Sequence, residues 1–146
     1  MKKRARYVRE GFTMVELMAI LVIIGLLAAV VATNVIGKID KAKVVSTKTS
    51  LKVLQAAVTQ FYLDTGRYPT EEEGLDVLVN PPSDVVNYPP GGYLETTTVP
   101  TDAWGNEFWY ELWPEDGKPF RIVSFGADGE PDGEDYDADL YSTDAN

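Results

Sequence analysis

Asp128 to Asp139 carries seven acidic side chains in twelve residues, with glycines at 129 and 133 and no base. Carboxylates are hard oxygen donors, and glycines let a short loop bend several of them toward one point. Such a loop suits Ca²⁺, which takes about six to eight oxygens in flexible geometry. Unscreened, the charges repel one another, so the plain alternative is a solvated acidic tail. The residue spacing of an EF-hand is absent. A second ionisable group stands alone. Glu16 is the single charged residue between Phe12 and Asn34, a run that is otherwise almost wholly apolar. A carboxylate deep in a bilayer costs about 2.5 kcal/mol or more, so Glu16 at that depth implies a partner.

The rest of the composition points away from catalysis. There is no histidine and no cysteine among the 146 residues. The commonest general base near neutral pH is missing, and neither a thiolate nor a disulfide is available. The chain is read as a non-enzyme with no catalytic residue, and an acid-pair hydrolase built on Asp128 to Asp139 would lack an implied substrate cleft. Charge is segregated. Met1 to Gly11 holds five bases and one acid, whereas from Gly37 onward there are eight bases against twenty-one acids. A basic segment beside an apolar span marks the cytoplasmic side and puts the acidic remainder outside. An acidic exterior disfavours nucleic acid and anionic lipid.

These groups need elements to hold them. Leu17 to Ala32 is apolar, and Phe12, Met14, Val15, Val35 and Ile36 extend the run far enough to cross ~30 Å of hydrocarbon. From Lys38 to Asp64 there is no Pro and no Gly. Ile39, Ala42, Val45, Leu51, Leu54, Val58 and Phe61 follow helical spacing, and Gly66 and Pro69 are stop signals. One helix over about Phe12 to Thr65 would be ~80 Å long. Its second half would pack on a globular part, giving a lollipop outline. The lysines at 38, 41, 43 and 48 read as a solvated collar. Thr70 and Glu73 form a capping box for a short helix over Glu71 to Val79. Ser83 to Pro100 reads as an irregular connection. Phe108–Trp113 and Phe120–Phe125 read as a hairpin, with Trp104, Phe108, Trp109, Tyr110 and Trp113 forming a core against the long helix.

Gly11-Phe12-Thr13-Met14-Val15-Glu16 resembles the class III leader of the type IV pilin superfamily. The resemblance implies cleavage by a prepilin peptidase between Gly11 and Phe12, with methylation of the new amino terminus. It also implies pairing of Glu16 with the amine of a neighbouring subunit. A buried carboxylate and ammonium offset their desolvation only when paired, so the pair would act as a registry device. Gly66-Arg67-Tyr68-Pro69-Thr70, Glu73-Gly74-Leu75, Asn87 to Tyr93, Asp102-Ala103-Trp104-Gly105, Ser124 to Gly129 and Ala138-Asp139-Leu140 resemble, in order, the major pseudopilins of type II secretion systems. The likeness runs from Gly11 to Leu140.

The resemblance implies an α+β, pilin-like fold: a long N-terminal helix, a small antiparallel sheet and a C-terminal acidic loop. The divisions are a cleaved leader (1–11), a transmembrane and assembly helix (12–37), its packed continuation (38–65) and a globular domain (66–146). The implied function is a pseudopilus subunit that drives export of folded proteins across the outer membrane. It would be a single-pass protein of the inner membrane with its C-terminal domain in the periplasm. Implied partners are further copies of itself, minor pseudopilins, the inner-membrane secretion platform and the prepilin peptidase. The implied cofactor is calcium, with Asp128 and Asp139 as side-chain ligands and the carbonyls of Phe125 and Gly133 contributing. Asp135 and Asp137 compete for the remaining carboxylate position. The sequence departs from the family in having Thr33 where most members carry proline, and Ala103 where the turn motif usually has proline. Two alternatives stand beside this reading: a type IV or competence pilin, and a membrane-anchored calcium-dependent binding protein.

Overall fold

The computed structural model describes residues 11–144, with the side chains of residues 31–36 excepted, so the expected leader lies outside the described residues apart from Gly11. The chain divides after Lys38 into two units. One helix, α1 (Met14–Thr65, 52 residues), contributes to both. No proline interrupts it, as expected from the sequence.

In the first unit α1 carries the apolar run. Every large apolar side chain from Phe12 to Val30 is at least 42% exposed in the single chain. Among the described residues no helix is long and apolar enough to cross a membrane. The expected span also counted Ala32, Val35 and Ile36, which lie outside the described side chains.

The second unit is built on one face of α1. Leu51, Leu54, Val58 and Phe61 are fully buried, at the helical spacing that the sequence shows. They pack with Leu75, Val77, Leu78, Leu94, Phe108, Tyr110, Phe120 and Ile122 in one core. Each buried leucine or phenylalanine contributes about 1.5–3 kcal/mol. The hairpin forms as expected, from β1 (Trp109–Leu112) and β2 (Phe120–Ser124). They are antiparallel, with Tyr110 opposite Ile122 and Leu112 opposite Phe120. A short third strand, β3 (Leu140–Tyr141), adds to the other edge of β2, with Ser124 opposite Leu140. Behind it the buried Ser142 hydroxyl accepts a hydrogen bond from Ile122 N at 3.0 Å.

Two local expectations are corrected. The capping box at Thr70 exists: Thr70 N donates to Glu73 Oε2 at 2.9 Å and Glu73 N donates to Thr70 Oγ1 at 3.3 Å. It opens a run of turns and a 3₁₀ segment, Asp76–Leu78, rather than an α-helix over 71–79. Gly74 stands at φ +55°, a left-handed setting that ends a helical turn after one cycle. The aromatic core is also smaller than expected. Phe108 and Tyr110 are buried, but Trp109 is 59% and Trp113 68% exposed. Strand alternation turns Trp109 outward when Tyr110 faces the helix. Trp113 lies past the strand end at φ +54°, where its side chain stacks edge-on against Tyr68 at 6.2 Å.

Candidate functional site

The N-terminal site starts one residue before α1. Thr13 N donates to Glu16 Oε2 at 2.8 Å, Thr13 Oγ1 donates to the same oxygen at 3.1 Å, and Glu16 N donates to Thr13 Oγ1 at 3.2 Å. This is a reciprocal capping box. Thr13-Met14-Val15-Glu16 carries its signature openly, yet reading Glu16 for a partner in another subunit hid the partner three residues away. The box satisfies two amide donors at the start of α1 and holds the carboxylate beside Phe12, the residue expected to follow the cleaved bond. Gly11 and Phe12 are exposed.

The acidic site is the connection between β2 and β3. Pairing of Ser124 with Leu140 puts Phe125 and Asp139 at the two feet of one loop. Its turns are tight. Gly126, Gly129 and Gly133 have positive φ, as do Asp132 and Asp135, residue types that tolerate this setting. Two glycines are dictated by contact. A Cβ on Gly126 would meet Asp137 O at 2.5 Å, and one on Gly133 would meet the same oxygen at 2.5 Å. Three strands of backbone thus cross at Asp137, and Ala127 N donates to Tyr136 O at 2.9 Å beside that crossing.

The expected ligands are distributed unevenly around this loop. Asp139 Oδ2 accepts from Asp132 N at 3.3 Å and from the Tyr141 hydroxyl at 3.0 Å. Asp139 Oδ1 is buried and has no hydrogen-bond partner. A buried carboxylate oxygen left unpaired costs about 1–3 kcal/mol, so the position calls for a donor, a water or a cation. Asp128 is exposed and its Oδ1 accepts from Glu130 N at 3.1 Å. Asp135 and Asp137 are exposed. Among the described residues no group of three acidic side chains is gathered tightly enough to hold a metal ion. The loop therefore brings Phe125 and Asp139 together at its feet and Gly133 against Asp137, and leaves the other carboxylates on its rim.

A third cluster escaped the sequence reading. Arg67 donates to Glu73 through both terminal nitrogens, at 2.7 and 2.8 Å, and to Asp84 through Nε and Nη2 at 3.1 and 3.0 Å. It ties the end of α1 to the irregular 83–100 segment. The Arg67 hydrogen bonds and the Thr70 amide hold the Glu73 carboxyl down at about 2, against an ordinary 4.5. The same pairing raises Arg67. Nearby, burial pushes the Tyr93 phenol up to about 12. Only the Arg67–Glu73 spacing was local enough to find from sequence; Asp84 is 17 positions away.

Known proteins match along nearly the whole chain. The family model described as type II secretion system (T2SS), protein G matches residues 34–143, and the prokaryotic N-terminal methylation motif matches residues 7–32. The type II secretion system core protein G of Pseudomonas aeruginosa is 40% identical over 139 residues, covering 93% of this chain and 96% of that protein. The core protein G of Vibrio cholerae is 37% identical over 142 residues, covering 96% and 94%. The crystal structure of the major pseudopilin from the type 2 secretion system of enterohaemorrhagic Escherichia coli aligns with a TM-score of 0.61 at 32% identity, over 74% of this chain and 92% of that one. The fold, the leader motif and the relatives agree, and the chain belongs to the type II secretion system protein G family.

Proposed function

We propose that the chain is the structural subunit of a pseudopilus, polymerising through the N-terminal part of α1 to drive export of folded proteins across the outer membrane. The observation that carries this reading is the exposed apolar surface from Phe12 to Val30, headed by one carboxylate. A continuous apolar surface of this size is not left in water. Lipid covers it before assembly and neighbouring helices cover it afterwards. The subunit sits in the inner membrane as a single-pass protein with its C-terminal domain in the periplasm, as the basic leader on the cytoplasmic side supports. Prepilin peptidase cuts between Gly11 and Phe12, and the freed amine of Phe12 is methylated. Minor pseudopilins and the inner-membrane platform are its further partners, and no step of its work is catalysis.

Glu16 then has two settings. In the single chain Thr13 satisfies it. In the filament the Phe12 amine of a neighbour supplies the opposite charge, and the register that pairs them is the register that assembles. Glu16→Ala in the full chain, expressed with the secretion machinery, tests this. Membrane insertion is expected to persist, while cross-linked multimers fall at least about tenfold, because a partner amine is left unpaired in an apolar setting. Multimers at wild-type level would overturn the registry role.

The β2–β3 loop takes Ca²⁺. The buried, unpartnered Asp139 Oδ1 supports this, as does a donor set made only of carboxylates and carbonyls. Asp128 and Asp139, one of Asp135 and Asp137, and the carbonyls of Phe125 and Gly133 would hold the ion. Bound there, the ion supplies a hard cationic centre that cancels the repulsion among the loop's charges.

A further inference from the structure

The turn Asp102–Asn106 touches both α1 and the acidic loop, and the side chains of Asp102 and Asn106 make contacts outside it. Asp102 is 5% exposed. Its Oδ1 accepts from Trp104 N at 3.0 Å and Asn106 N at 2.8 Å, and its Oδ2 accepts from the buried Ser124 hydroxyl at 2.6 Å. Asp102 N donates to Asn106 O at 2.9 Å, which closes the turn. On one side, Ala103 N donates to Thr47 Oγ1 of α1 at 3.1 Å, and Thr47 is fully buried. On the other side, Asn106 Nδ2 donates to Gly126 O at 2.9 Å. The Asn106 side-chain amide also lies against Gly129, where a Cβ would meet its Oδ1 at 3.2 Å. Gly126 follows Phe125 and Gly129 follows Asp128, two of the expected ligands. One side-chain amide therefore grips the first limb of the loop on both sides of Asp128.

We infer that Asn106 is a positioning residue for the β2–β3 loop, and that the Asp102–Asn106 turn links the state of that loop to α1 at Thr47. The physical reason is that each hydrogen bond in the path is buried or half-buried, so none can be exchanged for water without cost. The Asp102 carboxylate fixes the turn from within, in the way that outer groups orient ligands they do not replace. This inference rests on the calcium reading for its ligand, and not for the link itself.

The test compares wild type, Asn106→Asp, Thr47→Val and Asp128→Ala as full chains in detergent, with Ca²⁺ or with chelator. Calcium affinity and amide exchange at Ala127 and in residues 47–51 of α1 are read. Asn106→Asp keeps the shape and the Oδ1 acceptor and removes the donor to Gly126 O. It is expected to weaken calcium binding about 10-fold or more, to speed exchange at Ala127, and to lower melting in chelator because Gly126 O loses its donor. In wild type, calcium is expected to slow exchange in residues 47–51, and Thr47→Val is expected to remove that response while leaving calcium affinity within about twofold. If wild type shows no calcium response but Asn106→Asp still loosens Ala127 and residues 47–51 together, the link stands and the calcium reading falls. If calcium protects wild type and Asn106→Asp binds and protects equally well, the link falls and the calcium reading stands.

Discussion

Glu73→Gln removes a charge from the Arg67 cluster and leaves the capping box its oxygen acceptor. The Glu73 carboxyl titrates at about 2 in the fold against 4.5 ordinarily, a depression of about 2.5 pH units at about 1.36 kcal/mol each. That would be about 3 kcal/mol for a dry pair. The side chains of Arg67 and Glu73 are 31% and 24% exposed, and solvent screening brings the expected value to about 1–2 kcal/mol. The sign follows from the depression. The stabilisation is complete above pH 4.5 and is lost as pH falls toward 2. All three tryptophans lie between positions 104 and 113, so their fluorescence reports on the unit that holds Glu73. Urea unfolding of the full chain in detergent, followed by tryptophan emission, is expected to place Glu73→Gln about 1–2 kcal/mol below wild type at pH 7. The gap should narrow below pH 4.5 and approach zero near pH 2. A gap of equal size at pH 7 and pH 3 would refute the ion-pair argument and leave a packing defect, and no gap at pH 7 would refute it as well.

Three further outcomes follow from the sites. The full chain in detergent should melt about 5–10 °C higher with calcium at a hundredfold excess over Kd than with chelator, and Asp139→Ala should lose most of that shift while Asp144→Ala keeps it; equal melting in both conditions returns the loop to a solvated acidic segment. The intact mass of the membrane-extracted protein should lack Met1 to Gly11 and carry a methylated Phe12, and a retained leader in cells with active prepilin peptidase contradicts the processing. Gly126→Ala drives a methyl group into Asp137 O at φ +67° and should cost about 2–4 kcal/mol, whereas Gly91→Ala, with open space around it, should stay within about 0.5 kcal/mol; similar urea midpoints for the two would contradict the crossing at Asp137.

Legibility from sequence tracked the range of each interaction. The helix could be read because its signals are periodic and local: Leu51, Leu54, Val58 and Phe61 repeat on one face, and Gly66 and Pro69 stop it. The hairpin could be read from Phe108 to Phe125 because strand residues flank a turn at Asp116 and Gly117. The helix over 71–79 failed at Gly74, whose φ of +55° overrides a correct capping box. Composition marks Trp109 and Trp113 as aromatic and says nothing of which face a strand turns to the core. The acidic loop could be seen as chemistry but not as geometry, since β3 is two residues long and carries no periodicity. Asn106, Thr47 and Ser124 gave no sign, because a polar side chain becomes part of a site only when distant chain is brought to it.

The crossing at Asp137 also governs where this loop can change length. Gly126 and Gly133 both press on one peptide, so the backbone from 126 to 127 and from 133 to 137 is fixed at both ends by contact. An added or deleted residue in either limb would carry a side chain into that contact. Between them, Glu130 and Pro131 are exposed and lie outside the crossing, while Asp132 N is tied to the Asp139 foot at 3.3 Å. An added residue at 130–131 therefore meets less fixed backbone than one placed in either limb. A stretch that looks like an unconstrained acidic tail is, in mechanical terms, a frame pinned at Asp137 with one short open tip.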